Sequence, residues 1–296
     1  MKKNILILLS DPESINYEIV RKSIFFFKKS NKNIYTFVGC KKDFEQNVTK
    51  QKLNTNFINI DRGSNTKKYL KKCFMHSFRI LQQKKAHGII NLPLNKKNLP
   101  KKYPGFTEYI ASYFNKRGKE TMLLYNSKFS VCPNTTHIQV KDISKKLTKK
   151  LIIKNALNIN RFYKNIIKIK IPKLLHMGLN PHGGVDFKNT TEEKKTIVPA
   201  INYLKKKRIN IKGPISPDIA FKNNKFNCII GNYHDQVLPT FKYIFDYNAI
   251  NITLGLPFLR VSPDHGTAKD KIGKNAACAD SFKMALQFFE KFYHKL

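Results

Sequence analysis

Short apolar runs alternate along this chain with longer amphipathic stretches. Residues 4–9 are an almost unbroken apolar run of strand length that stops at Ser10-Asp11, the pattern of a strand buried on both faces. Similar runs predict strands near 33–39, 56–60, 88–92, 172–178 and 226–232, with one or two more within 121–132. Between them, apolar residues recur at helical spacing over 13–29, 66–84, 106–117, 141–162, 191–207 and 279–294. In the last of these, Phe282, Ala285, Phe289 and Phe292 fall near one face. Strands alternating with helices predict an α/β architecture with a mostly parallel sheet covered on both sides. A length of 296 residues suits two such lobes with a cleft between them.

Composition narrows the class. With 41% hydrophobic and 12% aromatic residues the chain can build a core, which argues against global disorder. No apolar run approaches the ~18–20 residues of a membrane span. The opening Met1-Lys2-Lys3 resembles a signal peptide, but its apolar stretch ends too early, so a first strand and a cytoplasmic location are expected. The net charge of +37 invites nucleic-acid binding. Against that, only 7 of the 56 basic residues are Arg, and the lysines are spread over the whole chain with no basic arm. Lys, Asn, Ile and Phe share AT-rich codons, so the excess reads as codon drift onto solvated faces, and no nucleic-acid partner is expected. Cys40, Cys73, Cys132, Cys228 and Cys278 are odd in number and scattered, which argues against a disulfide framework or a zinc finger.

Candidate chemistry lies after the predicted strands, where open α/β folds bind their ligands. His137 ends Asn134-Thr135-Thr136-His137, His182 ends Asn180-Pro181-His182, and His234 lies in Tyr233-His234-Asp235-Gln236. Their wide spacing excludes a local finger and suits a catalytic metal assembled from separate loops, with Asn, Thr or Asp beside each as supporting groups. Ordinary polar loop histidines are the competing reading. Lys242, Asn251 and Arg260 suit a phosphate or carboxylate, and Arg260 carries most weight because arginine is scarce and this one sits in a stretch read as a Gly/Pro-punctuated loop. Asp264-His265-Gly266-Thr267-Ala268 suits a loop that offers backbone N–H groups to a nucleotide. No G-x-G-x-x-G, P-loop or G-x-S-x-G occurs, which removes the ordinary Rossmann, NTPase and serine-hydrolase readings.

The segments Gly178-Leu179-Asn180-Pro181-His182, Tyr233-His234-Asp235-Gln236, Asn251-Ile252-Thr253-Leu254-Gly255-Leu256-Pro257-Phe258 and Asp264-His265-Gly266-Thr267-Ala268 resemble the 4-hydroxythreonine-4-phosphate dehydrogenase family of vitamin B6 (pyridoxal phosphate) biosynthesis. The resemblance covers nearly the whole chain, weakly over the first 90 residues and strongly after about 170. It implies the two-lobed isocitrate/isopropylmalate dehydrogenase-like fold, in α/β/α layers with the active site in the cleft. It divides the chain into a cofactor-side domain (1–102 and 247–296) and a metal, substrate and dimerisation domain (103–246). It implies a homodimer with the active site at the subunit interface, and no membrane partner.

By the same resemblance, His137, His182 and His234 hold one divalent metal ion, with zinc, magnesium or cobalt as candidates; three histidines also suit manganese. Thr107, Lys242, Asn251 and Arg260 bind the phosphorylated amino-acid substrate. Gly255, His265, Gly266 and Thr267 bind NAD or NADP. Asp218 and Asp235 are the catalytic carboxylates, and metal support or helix capping is the alternative for each. The implied reaction oxidises and decarboxylates 4-phosphooxy-L-threonine to 3-amino-2-oxopropyl phosphate.

The chain departs from the family pattern in places. Gly105-Phe106-Thr107-Glu108 has Phe106 where the family has histidine, so restoring histidine there is expected to recover activity. The opening Ser10-Asp11-Pro12-Glu13-Ser14-Ile15-Asn16 has lost the family's glycines, and Asp186 and Phe187 replace glycines after Asn-Pro-His-x-Gly. These changes keep two alternatives in view: a related metal-dependent dehydrogenase of another phosphorylated hydroxy acid, and a degenerate lysine-rich homologue without catalysis.

Overall fold

The structure is a computed structural model that describes residues 2–30, 32–188, 192–222 and 225–293. Position 191, the expected start of one helix, and His294, the expected end of another, lie outside the described residues. The chain divides into two compact units, Met1–Glu120 with Tyr247–Leu296, and Thr121–Asp246.

The first unit opens with β1 (Lys3–Leu8), α1 (Asn16–Arg21), α2 (Ile24–Lys29), β2 (Asn33–Gly39) and α3 (Lys41–Asn47). It continues through β3 (Asn56–Asn59), α4 (Thr66–Gln82), β4 (Gly88–Asn91) and α5 (Phe106–Tyr113). β1 lies between β2 and β4, parallel to both, and Ile5, Leu6, Ile7 and Leu8 are wholly buried. A central parallel strand has no solvent face, hence its unbroken apolar run. α4 starts where the Asn65 side chain accepts a hydrogen bond from the Lys68 N–H (3.0 Å). Its apolar face, including Leu70, Cys73, Phe74 and Phe78, packs on Leu6, Leu8 and Ile89. Phe106 and Ile110 of α5 join the same cluster, so this unit runs to Glu120, past the expected boundary at 102.

The second unit holds β5 (Thr121–Tyr125), β6 (Ser130–Pro133), α6 (Ile143–Lys146), α7 (Lys149–Phe162), β7 (Leu174–Met177) and α8 (Val198–Lys206). It ends with β8 (Ile211–Ile215), α9 (Pro217–Ala220), β9 (Cys228–Gly231) and α10 (His234–Phe245). Its strand order is β5-β6-β9-β7-β8, parallel except for the β5–β6 hairpin. The chain then returns to the first unit with β10 (Ile250–Leu254), β11 (Leu259–Pro263) and α11 (Asp280–Phe288). There the order is β3-β2-β1-β4-β11-β10, and β10 alone runs antiparallel.

Several elements differ from the sequence pattern. The helix expected over 13–29 breaks at Lys22–Ser23, where the Ser23 hydroxyl donates to the Ile19 carbonyl (2.8 Å), a side-chain bond that competes with the helix ladder. The helix expected over 141–162 breaks before Thr148, which caps α7 by accepting from the Leu151 N–H (3.2 Å). β8, β10 and β11 are not among the strands that the apolar runs predict, and the stretch around Arg260 reads as a Gly/Pro-punctuated loop. β8 tolerates Pro214 because it is an edge strand. Arg260 accordingly sits on a strand, β11, and is buried. All five cysteines are free thiols. No helix among the described residues is long and apolar enough to cross a membrane.

Candidate functional site

In the second unit, His137, His182 and His234 follow β6, β7 and β9, three adjacent strands in the order β6-β9-β7. The supports of these loops interlock. Asn134 and Thr135 donate backbone N–H groups to the Gly231 and Asn232 carbonyls (2.8 and 3.1 Å), which ties the β6 loop to the β9 loop. Asn232 is wholly buried, and its amide donates to the Met177 carbonyl at the end of β7 (3.1 Å). Gln236 amide nitrogen donates to the Gly178 carbonyl (2.8 Å), while its oxygen accepts from the Asn232 N–H (2.7 Å). Gln236 therefore hooks the first turn of α10, which carries His234 and Asp235, to the segment that leads into His182.

That segment is held from below by Glu193. Its carboxylate accepts the backbone N–H groups of Leu179 and Asn180 (both 2.9 Å) and the Asn180 amide (2.9 Å), and it is 3% exposed. A buried carboxylate satisfied by three N–H donors is a fixed clamp rather than a loose charge. Gly178 admits no side chain, because a Cβ would stand 2.6 Å from the Gly183 Cα. His182 itself adopts a left-handed backbone (φ 53°) in the turn Pro181–Gly184. A second network props the β6 loop. The Thr121 hydroxyl donates to Asn155 Oδ1 (2.7 Å), and the Asn155 side-chain amide donates to Asn134 Oδ1 (3.0 Å). The Asn134 amide meets His176 Nε2 (2.9 Å), and His176 Nδ1 donates to the Met177 carbonyl (2.7 Å). Burial holds His176 down to about 4, so it is a neutral structural imidazole.

The histidine rings of His137 and His234 stand 5.9 Å apart, close enough for two ligands of one ion. His234 Nδ1 meets Asp235 Oδ1 at 2.6 Å, and His182 Nδ1 meets the Asp186 carboxylate. A carboxylate on Nδ1 fixes the tautomer and turns the Nε2 lone pair outward, the usual support of a metal-binding imidazole. The hydrogen bond and charge of Asp186, with a smaller contribution from Asp218, raise the His182 pKa. The Ser216 hydroxyl donates to Asp218 and lowers that carboxyl. Among the described residues, no three His, Cys, Asp or Glu side chains are arranged to hold an ion. The donor set nevertheless fits one in type: three imidazoles, two with a carboxylate behind them. Lys242 lies on α10, seven residues after Asp235 and so on the same helix face.

In the first unit two of the expected substrate residues, Asn251 and Arg260, lie on the β10–β11 ladder, and a third, Thr107, is on α5. Thr253 pairs with Arg260 and Asn251 with Ser262, so these four share one sheet face. Arg260 is 4% exposed and has no carboxylate at ion-pair distance among the described residues. Its Nε donates to Asn91 Oδ1 (2.5 Å), and Nη1 donates to the hydroxyls of Thr107 (3.1 Å) and Thr253 (2.8 Å). The guanidinium lies over the Phe106 ring at 5.6 Å. Burial lowers its pKa to about 10, which leaves it charged at neutral pH. Nη2 has no hydrogen-bond partner among the described residues, and neither has the buried Oδ1 of half-buried Asn251. A buried cation with two uncommitted N–H groups fits an incoming anion.

Of the expected nucleotide residues, Gly255 (φ 86°) turns the chain out of β10, and His265, Gly266 and Thr267 form the loop after β11. The Thr267 carbonyl accepts the Ile15 N–H (3.2 Å), joining this loop to the one after β1. The supports missed in the sequence are Asn91, Thr253, Asn232, Gln236 and Glu193. Glu193 had a signal: it is one of only 19 acidic residues in a lysine-rich chain.

Known proteins resemble this chain over nearly its whole length. The pattern describing the pyridoxal phosphate biosynthetic protein PdxA matches residues 9–289. A 4-hydroxythreonine-4-phosphate dehydrogenase of Sulfurihydrogenibium sp. (strain YO3AOP1) is 35% identical over 299 residues, covering 92% of each chain. The crystal structure of a 4-hydroxythreonine-4-phosphate dehydrogenase from Klebsiella pneumoniae superposes with a TM-score of 0.82 at 25% identity, over 97% of this chain and 98% of that one. At the level of fold alone, isocitrate dehydrogenase from Methylococcus capsulatus superposes with a TM-score of 0.57 at 11% identity, over 97% and 85% of the two chains. The fold is therefore the isocitrate dehydrogenase-like α/β fold, and the chain belongs to the pyridoxal phosphate biosynthetic protein PdxA family.

Proposed function

We propose that this chain is a 4-hydroxythreonine-4-phosphate dehydrogenase. It oxidises the C3 hydroxyl of 4-phosphooxy-L-threonine, with NAD accepting the hydride and a proton released. The resulting 2-amino-3-oxo acid loses carbon dioxide to give 3-amino-2-oxopropyl phosphate. The observation that carries this reading is the interlock of three histidine-bearing loops at the ends of β6, β7 and β9, in a chain whose relatives bear that name over nearly their whole length.

His137, His182 and His234 would hold one divalent ion, which when bound supplies a Lewis acid that lowers the pKa of the C3 hydroxyl and stabilises the enolate left by decarboxylation. Asp235 Oδ1 holds the proton of His234 Nδ1 and so fixes which nitrogen faces the substrate. Asp218, kept ionised by Ser216, acts on His182 as a fixed negative charge rather than as an acid. Arg260 Nη2 binds the substrate phosphate, with Thr107 orienting the guanidinium and the Asn251 amide adding a donor. Gly255, His265, Gly266 and Thr267 border the nucleotide. The working form is a homodimer with its active site at the subunit interface.

Formation of NADH from 4-phosphooxy-L-threonine tests the reading. Activity should vanish with a chelator and return with a divalent metal. His182→Ala should lose both bound metal and turnover while melting normally; full turnover in a metal-free His182→Ala protein would overturn the assignment of the histidines.

A further inference from the structure

An open groove of about 580 Å³ runs between α7 and α8, wholly within the second unit and built from helix surface rather than from the strand-end loops that carry the histidines. Its apolar floor is Ile153 and Leu157, both half-buried on α7, and Tyr203 of α8, which is 40% exposed. All four basic residues of α7, Lys149, Lys150, Lys154 and Arg161, line its edges. Positions 150, 153, 157 and 161 recur at three- and four-residue spacing, so they form one stripe along the helix. The cations therefore stand at both ends of the apolar floor, with Lys150 and Arg161 ~16 Å apart along the axis. Neither α7 nor α8 holds an acidic residue, and none occurs from Ile143 to Val185. Lys149 and Lys150 lie in the first turn of α7, where the helix dipole disfavours cations, so their charge serves a bound anion better than it serves α7. Arg161 Nη1 donates to Asn158 Oδ1 (3.4 Å), and Lys207 Nζ lies 5.8 Å from the centre of the Tyr203 ring.

We propose that this groove docks an amphipathic helix of a partner protein, one that lays its apolar side chains on Ile153, Leu157 and Tyr203 and carries acidic residues at both of its ends. Charge complementarity on both sides of an apolar floor selects this occupant. A lipid headgroup or a small amphipathic anion needs cations at one end only. A membrane surface takes up apolar side chains that protrude, and these line a groove. A nucleic acid calls for several aromatic platforms along a cationic track, and the groove offers one tyrosine, already engaged by Lys207. A second copy of this chain, paired through the same face, sets four cations against four.

Fluorescence anisotropy of a labelled synthetic helix tests this on the full chain. The probe carries a glutamate pair at each end, spaced to match Lys150 and Arg161, with leucines on one face between them. The wild-type protein should bind it about tenfold or more tightly than an isomer whose leucines are scattered round the helix. Leu157→Asp and Arg161→Glu should each weaken binding by about tenfold. Arg161 is exposed, so its variant decides the matter if Leu157→Asp does not fold. Lys28→Glu, a charge reversal on an exposed residue of α2 in the first unit, should leave binding unchanged. Equal binding of the two isomers, or equal losses in Arg161→Glu and Lys28→Glu, would mean plain attraction to a chain of charge +37 and would overturn the proposal. Binding of phosphatidylglycerol vesicles or of poly(U) that Arg161→Glu abolishes, with the helix probe unaffected, would give the groove to a lipid or a nucleic acid and overturn it as well.

Discussion

Arg260 shows how a single buried charge is prepared for a ligand. Three neutral oxygens and one aromatic face orient it, and none of them cancels its charge. Arg260→Ala should therefore weaken transition-state binding by about 2–5 kcal/mol, seen chiefly as a raised KM. A substrate analogue lacking the phosphate should lose much less; equal losses would count against phosphate binding. Phe106 beneath it changes the outcome expected from the sequence. Its ring is 7% exposed and lies 5.2 Å from Phe74, 6.1 Å from Phe78 and 6.3 Å from Tyr109. An imidazole placed there is buried among hydrocarbon faces and loses aromatic pairing, at about 1–3 kcal/mol of stability. Phe106→His should melt lower and turn over no faster than wild type, contrary to the recovery that the motif alone suggests. A faster enzyme of unchanged melting temperature would show that the site accepts the histidine.

At the scale of elements, the site depends on contacts that join one strand end to the next. The Cβ introduced by Gly178→Ala meets the Gly183 backbone, not a mobile side-chain tip, so the turn that carries His182 must move. The variant should lose most of its turnover and its metal, with a smaller fall in melting temperature than a core cavity produces. Unchanged metal content would show that the turn adjusts freely. The histidines, their strand-end positions and the α/β class were legible because strand-length apolar runs and rare residue types survive a lysine-rich composition. The clamps were not legible. Gln236, Asn232 and Glu193 act through backbone carbonyl and N–H groups of segments 13 to 58 residues away, and no local spacing marks such partners. Arg260 was misplaced on a loop for a similar reason: Gly255 and Pro257 only separate β10 from β11, while the buried ladder itself reads as loop punctuation.

Across the whole molecule, the +37 charge is spread over solvated faces, while one wholly buried imidazole, His176, carries a large pKa shift in the acid range. His176 acts between pH 4 and 6.5. Its native pKa is about 4 against 6.5 for the free side chain. In that window the unfolded chain takes up a proton that the native protein refuses, so stability rises with pH from about 4 to 6.5 and then levels. The shift corresponds to about 3 kcal/mol over the full window. His182 runs the other way: Asp186 raises its pKa, so its contribution is complete at low pH and is lost as pH rises through the native value, but both side chains are exposed and solvent screens the pair. Denaturant unfolding of wild type and His176→Gln at a series of pH values separates the two. The glutamine variant keeps a hydrogen-bonding group beside Asn134 but cannot titrate, so it should be less stable at neutral pH and should lose the slope between pH 4 and 6.5. A variant with the wild-type slope would mean that another group carries the proton uptake, and that the Asn134–His176 network does not govern acid stability.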